Sequence, residues 1–298
     1  MTQNGGRPSP VEHGFPHLDT VRAAVTALYR ALSPAGIEAY ATAVPAAEVA
    51  FGAGEDLHLG AHRVASAIVG ALRLPDARIV VAFRPMRDAA TVELTAGPEY
   101  FVEVSDRFRI HRRDLGAALA HEVTHVLLHR LGLRFPTTAE DEILTDTAAA
   151  YLGVGWLLLD AYREDALTRQ RLGYLTPEEF GYVLARRARA FGEDPSPWFT
   201  SPQAYEAYAR GRAEADRELR RAPLAAARGS EARRYARHRR AGATAPAPGA
   251  AYRFDRPEGG PLRVAFPCPV CGQLVRVAVG GPLRARCGLC RSVLECDT

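Results

Sequence analysis

The sequence LGAALAHEVTHVLL, residues 115–128, decides how the rest of the chain is interpreted. In an α-helix residues four apart lie on one face, so His121 and His125 are expected to point the same way about one turn apart. Two neutral imidazoles so placed can bind one Zn²⁺, and Glu122 can act on a water at the metal. The surrounding residues are mostly Ala, Leu and Val, which predicts a buried helix rather than a solvated one. Burying these polar groups without a partner is costly, and a metal ion is the usual partner.

A catalytic zinc site needs a third protein ligand and one open position. Glu142 opens the next predicted helix, and Asp146 lies one turn further on the same face. Glu142 is the favoured third ligand, while Asp146 can accept a hydrogen bond from the second ring nitrogen of a ligand His. Asp141 and Asp146 are the alternative ligands. His129 lies about one turn too far along a straight helix to share the metal.

These residues carry a resemblance to a known group. HEVTH at 121–125, followed by EILTD at 142–146, resembles the gluzincin group of zinc metallopeptidases, to which thermolysin belongs. The resemblance covers residues 78–160 and implies that His121, His125 and Glu142 bind the catalytic zinc. It further implies that Glu122 is the general base and that Asp146 orients His121. A SprT-like protease also joins HExxH to a Cys₄ ribbon, but its third ligand is a downstream His, and beyond residue 129 this chain has only His238.

The resemblance also suggests where a substrate binds. Gluzincins place an edge strand before the metal helix, and an extended peptide pairs with it through the backbone. Residues 100–105, YFVEVS, occupy that chain position and alternate between apolar and polar side chains. Tyr100 and Val102 are therefore candidate substrate-binding residues, and Tyr151 is a further candidate outside this segment. Tyr151, Tyr174 and Tyr182 are candidate donors to the oxyanion of the tetrahedral intermediate, although a buried aromatic on a helix is more often part of the core.

The cysteines predict a second zinc site. Two CxxC pairs lie near the C-terminus, and thiolates at this spacing form a closed tetrahedral site with a structural Zn²⁺. The four expected ligands are Cys268, Cys271, Cys287 and Cys290. Short predicted strands at 262–266, 274–279 and 283–285 favour a zinc ribbon over residues 261–298. Such a short segment depends on its metal to fold, and it can bind nucleic acid, bind a protein or dock on the preceding domain. Cys296 is left over.

The remaining patterns define the fold class and the domains. Strands are expected at 78–83, 91–94 and 100–104, and helices at 21–32, 60–72, 177–191 and 202–221. The prediction is an α+β chain: a zincin-like domain with a small mixed or antiparallel sheet, a helical extension and a C-terminal zinc ribbon. The expected boundaries are a disordered N-terminus at 1–18, the zincin-like domain at 19–240, a linker at 241–260 rich in Ala, Pro and Gly, and the ribbon at 261–298.

Composition limits the class of protein. The chain has 298 residues, a net charge of +4 and no Lys, so every basic residue other than His is Arg. No apolar run reaches the length of a membrane span, and the first twenty residues lack the features of a secretory signal. All five cysteines lie within residues 268–296, which is not the framework of a disulfide-rich secreted enzyme. A cytoplasmic protein without membrane contact is expected.

Three functions fit the sequence. The favoured one is a zinc peptidase that acts on a peptide or protein. The second is a SprT-like or repressor-cleaving regulatory protease, brought to DNA or to a protein partner by the ribbon and the Arg-rich segment 228–240, RGSEARRYARHRR. A solvated helix explains this basic segment equally well. The third is a non-catalytic zinc-binding interaction protein.

Overall fold

The computed structural model describes residues 11–164, 169–242 and 249–298 as a mixed α+β structure. The helices are α1 (Leu18–Glu38), α2 (Ala46–Val49), α3 (Leu57–Ala71), α4 (Leu115–Arg130), α5 (Thr138–Leu152), α6 (Trp156–Asp160), α7 (Pro177–Phe191), α8 (Pro202–Glu218) and α9 (Gly229–Ala241). The strands are β1 (Arg78–Arg84), β2 (Ala90–Val92), β3 (Glu99–Ser105), β4 (Arg163–Glu164), β5 (Arg169–Gln170), β6 (Arg253–Asp255), β7 (Arg263–Pro267), β8 (Leu274–Ala278), β9 (Pro282–Arg286) and β10 (Val293–Asp297). The predicted α+β class with small sheets is confirmed, and the zincin-like fold remains a prediction.

The sheet beside α4 has the strand order β1-β3-β2. β3 pairs with β1 in parallel and with β2 in antiparallel orientation. The expectation that residues 100–105 form an edge strand is therefore wrong, because β3 is the central strand of this sheet. Alternation of polar and apolar side chains indicates that one face is exposed, and it does not reveal whether both backbone edges are paired.

The helices bury the sheet and one another in a continuous core. α3 packs against both α4 and β1, and α4 also contacts β2 and β3. α5 packs between α1, α4 and α7, and α8 lies along α7. Thr137 caps α5 and forms a capping box with Glu140, which determines where that helix begins. The described residues contain no helix that is long and apolar enough to cross a membrane.

The N-terminal segment is ordered further than expected. Disorder was predicted for residues 1–18, of which 1–10 lie outside the described residues. The backbone N–H of Gly14 donates to Glu178, and that of His17 donates to Glu179 at 2.5 Å. The Thr176 hydroxyl donates to the carbonyl of Gly14. Residues 11–17 therefore pack on the start of α7, a contact that joins positions about 160 residues apart and has no local signal.

The ribbon docks directly on the helical body. Its sheet has the order β6-β7-β8, so β6 belongs to it although residues 241–260 were expected to be a linker; residues 243–248 of that range lie outside the described residues. The Thr26 hydroxyl of α1 donates to the carbonyl of Cys271 at 2.6 Å, and Nη2 of Arg186 on α7 donates to the carbonyl of Val270 at 2.7 Å. The carbonyl of Pro223 accepts from the backbone of β10. The first Cys knuckle is thus part of the interface with the body.

Candidate metal centre

The two histidines and Glu142 meet where α4 crosses α5. His121 and His125 lie one turn apart on α4, and their ring centroids are 4.7 Å apart. Nε2 of His121 lies 3.1 Å from Nε2 of His125 and 3.1 Å from Oε2 of Glu142, and the third side of the triangle is 3.3 Å. Donors in a tetrahedral zinc site with bonds of about 2.0–2.1 Å are about 3.3–3.4 Å apart. The triangle therefore fits a small divalent cation held by three donors.

The second ring nitrogen of each histidine has its own partner. Nδ1 of His121 lies 2.8 Å from Oδ1 of Asp146, a side chain with no solvent exposure. Nδ1 of His125 lies 3.3 Å from Oγ1 of Thr145, which itself donates to the carbonyl of Asp141. When the rings are neutral, these acceptors favour the proton on Nδ1, which leaves a lone pair on each Nε2 facing the centre of the triangle. Lone pairs and a carboxylate facing one another repel unless a cation lies between them.

The charges around this point favour a cation. Burial raises the pKa of Glu142, but hydrogen bonds from His121 and His125 outweigh it and lower the pKa to about 2. Burial lowers the pKa of His121, yet hydrogen bonds to Asp146 and Glu142 raise it well above its ordinary value of 6.5. Positive charge at the triangle, whether from a proton or from a metal ion, is therefore stabilised. Burial raises the pKa of Glu122, whose side chain adjoins the triangle and which is 6% exposed.

A cleft of about 630 Å³ opens onto the triangle. Its walls include β2 with the residues before it, Arg87–Val92, and the loop 171–174. β2 lies at the end of the sheet, so it is the edge strand that faces the cleft. Tyr100 and Val102 are buried in β3 and do not line the cleft, so their predicted role in substrate binding is wrong.

The three candidate tyrosines differ in their exposure to the cleft. Tyr151 is fully buried, and its hydroxyl lies 2.9 Å from that of Tyr29, so the predicted contact with substrate is wrong. Tyr182 is also fully buried and donates to Glu218. Tyr174 is half exposed, lines the cleft and stacks on the ring of His121 with centroids 6.1 Å apart. Of these side chains, Tyr174 is the one placed to meet a bound molecule.

Two residues of this centre were missed by sequence reasoning. The first is Thr145, whose hydroxyl contacts His125. It lies about one helical turn after Glu142, and this spacing could have suggested that both face the histidines. Gly173 has φ +86° and lies against Asp146, where an added Cβ would come within 2.6 Å of Oδ2. Glycine lets the loop approach so closely that the backbone N–H groups of Tyr174 and Leu175 donate to Asp146. This packing depends on residues about 28 positions apart, and no local pattern signals it.

The alternative ligands lie elsewhere. Asp141 turns away from the triangle and accepts the backbone N–H of Phe135 at 2.9 Å. Both carboxylate oxygens of Asp146 are occupied by His121 and by backbone N–H groups. His129 is exposed in the last turn of α4. His238 lies on α9, where its Nδ1 is 2.9 Å from the hydroxyl of Tyr252.

The four ribbon cysteines form a second cluster. Sγ of Cys268 lies 3.6 Å from Sγ of Cys290, and Sγ of Cys271 lies 3.6 Å from Sγ of Cys287. Sulfurs in a tetrahedral zinc site with Zn–S bonds of about 2.3 Å are about 3.8 Å apart. These four side chains can hold a metal ion such as zinc. Cys296 is buried in β10, outside the cluster.

Comparison with protein-family models, with curated proteins and with solved structures found no match. The function is therefore argued from the two clusters and the cleft.

Proposed function

We propose that this protein is a zinc-dependent peptidase. His121, His125 and Glu142 would hold the catalytic ion, and the four ribbon cysteines would hold a structural one. A bound zinc supplies a Lewis acid and makes water a nucleophile near neutral pH. The observation that carries the proposal is the triangle of donors about 3 Å apart in a cleft that Glu122 also lines.

The protein's own groups have distinct roles in this proposal. Glu122 would take a proton from the attacking water and deliver it to the leaving amine. Burial raises the pKa of Glu122, which is the direction that helps a carboxylate accept a proton. Asp146 keeps His121 in the tautomer that binds metal through Nε2. An extended peptide pairs with the free edge of β2, so that its backbone crosses the cleft above the triangle.

The test is Glu122→Gln, which keeps the size of the side chain and removes its basicity. The variant is expected to keep two zinc ions per chain by elemental analysis, while cleavage of a peptide library falls at least about 100-fold. Glu38→Gln, an exposed position on α1 outside the cleft, is the matched control and is expected to cleave like the wild type. Zinc-loaded wild type that cleaves no peptide would contradict the proposal and favour a non-catalytic zinc protein.

The ligand assignment has its own test. His121→Ala and Glu142→Ala are each expected to lower the zinc content from two ions per chain to one, because one donor of three is removed while the ribbon is untouched. One zinc in the wild type as well as in both variants would mean that only the ribbon binds metal.

A second proposed role is contact with nucleic acid through residues 228–298. This segment contains 13 Arg and five Asp or Glu, so it is strongly basic. Arg233, Arg237 and Arg240 are exposed along one face of α9, whereas Tyr235 is buried on the opposite side. A regular row of arginines favours phosphate contacts over a frayed tail. The test is binding of duplex DNA by the full chain: affinity should fall steeply with salt and drop in the triple Arg-to-Gln variant of this row.

A further inference from the structure

Arg171 lines the cleft beside the metal ligands but has no part in the reaction proposed above. Its Nη1 atom is buried and has no hydrogen-bond partner among the residues that the structure describes. A buried N–H group without an acceptor is costly and uncommon, because its desolvation is not offset by a hydrogen bond. A bound molecule that brings a hydrogen-bond acceptor to Nη1 would explain why this atom is buried without a partner from the protein.

The backbone on both sides of Arg171 is anchored. Nε2 of Gln170 donates to Oδ2 of Asp114 at 2.8 Å, and so holds the chain just before Arg171. Just after it, the backbone N–H of Tyr174 donates to Asp146, the partner of the metal-binding histidine. The guanidinium is thus carried on a loop tied to the metal centre, which limits the entropy lost when it binds a ligand.

The cleft walls are positively charged. Arg87 and Arg107 are exposed on the same cleft as Arg171, and Asp88 is the acidic side chain among the described wall residues outside the metal centre. A divalent cation would balance the two glutamates of that centre. The net positive charge that remains attracts an anionic ligand and raises its local concentration.

We propose that Arg171 binds a carboxylate of the substrate, so that the cleft selects peptides that present a carboxylate to it. This inference rests on the proposed peptidase function. A planar guanidinium can bind a carboxylate through two parallel hydrogen bonds. The carboxylate is either the side chain of an Asp or Glu or the C-terminal group of the peptide. Both have the same chemistry, and the experiment separates them.

Binding is measured by fluorescence anisotropy on the full zinc-loaded chain carrying Glu122→Gln, so that turnover does not interfere. Three alanine-based peptides labelled with an uncharged fluorophore are compared: one with a central Glu and blocked ends, one with Gln in its place, and the Gln peptide with a free C-terminal carboxylate. Either the Glu peptide or the peptide with the free C-terminal carboxylate is expected to bind at least about tenfold more tightly than the blocked Gln peptide. The peptide that binds more tightly identifies the source of the carboxylate. Arg171→Met should abolish the difference, and Arg171→Lys should retain part of it.

Arg87→Met is the matched control, because it removes an exposed guanidinium from the same cleft; its effect should stay below about threefold and diminish with salt. Equal binding of the three peptides, or a preference that survives Arg171→Met, would overturn the inference. Arg171→Met should also unfold at the same or a higher temperature, since it removes the buried Nη1 atom that has no partner. A lower unfolding temperature would indicate a structural role and count against the inference.

Peptide cleavage by the chain with its native Glu122 is measured separately. Carboxylate-dependent binding without any cleavage would overturn the peptidase proposal while leaving Arg171 as the binding residue. Cleavage that depends neither on a carboxylate nor on Arg171 would support the peptidase proposal and overturn the inference about Arg171.

Discussion

Oδ1 of Asp146 lies 2.8 Å from Nδ1 of His121, and the same carboxylate accepts the backbone N–H groups of Tyr174 and Leu175. A single buried side chain on α5 therefore connects a histidine of the candidate metal centre with the loop that forms one wall of the cleft. Changes at Asp146 should act on metal binding and on the cleft together.

Asp146→Asn is expected to weaken zinc binding at the histidine site about 10- to 100-fold, because a neutral amide orients and polarises His121 less strongly than a carboxylate. Competition with a chelating dye measures the affinity, and the ribbon zinc serves as the internal reference. Asp88→Asn, an exposed position on the cleft wall, should leave the affinity unchanged. Equal affinities of the Asp146→Asn chain and the wild type would refute the orienting role.

Gly173→Ala is expected to destabilise the chain and to weaken zinc binding, since the added Cβ would lie 2.6 Å from Oδ2 of Asp146. Gly132→Ala is the matched control: Gly132 also has a positive φ, of +60°, but nothing lies within 4 Å of its added Cβ. The control should cost about 1–2 kcal/mol from backbone strain alone. Urea unfolding and zinc titration compare the two variants. If both lose the same free energy of unfolding and neither changes the zinc affinity, the close approach of Gly173 to Asp146 would be contradicted.

Cys287→Ser is expected to destabilise the helical body as well as the ribbon. The knuckle containing Val270 and Cys271 is hydrogen-bonded to α7 and α1, so loss of the ribbon metal loosens contacts on both helices. The free energy of unfolding should fall by about 2 kcal/mol or more. Amide hydrogen exchange in α1 and α7 is the measurement, and His121→Ala, which leaves the ribbon cysteines intact, is the control. Unchanged protection of both helices would mean that the ribbon folds independently.

His13 is expected to make the packing of the N-terminal segment pH-dependent. Its Nε2 lies 2.9 Å from Glu164 and its Nδ1 lies 3.2 Å from Glu178, so both nitrogens can donate when the ring is charged. Burial lowers the pKa of His13, but the two hydrogen bonds raise it overall above 6.5. The stabilisation is then fully present below the unfolded value of about 6.5 and is lost as pH rises through the higher folded value.

Exchange of the backbone amides of residues 11–17, followed from about pH 6 to about pH 9, measures this loosening once the intrinsic exchange rates are subtracted. His13→Gln should remove the pH dependence. A ring whose NMR titration midpoint lies below 6.5 would refute the charge pairing.

Local spacing explains what could be predicted. His121 and His125 are one helical turn apart, and the cysteines form two CxxC pairs, so the geometry of a helix or a turn brings each pair together. Glu142 lies on the next helix, and the packing of α5 on α4 brings it to the histidines. The capped start of α5 was likewise readable from the sequence TTAEDE at 137–142. Helices α3, α7 and α8 lie within about three residues of the predicted 60–72, 177–191 and 202–221. The first helix was predicted at 21–32, whereas α1 continues across a break at Ser33 to Glu38.

Pairing between distant segments was decided by the tertiary structure alone. Residues 100–105 alternate like an edge strand, yet β3 became the central strand because both of its backbone edges found partners. The wall of the cleft at Arg171, the approach of Gly173 to Asp146 and the docking of the ribbon on Arg186 likewise join segments far apart in the chain. The sequence by itself determined which side chains can hold the metal ions, because those residues lie within one or two local elements. The folded chain decided what surrounds them, because burial and hydrogen bonding between distant residues depend on how whole elements pack.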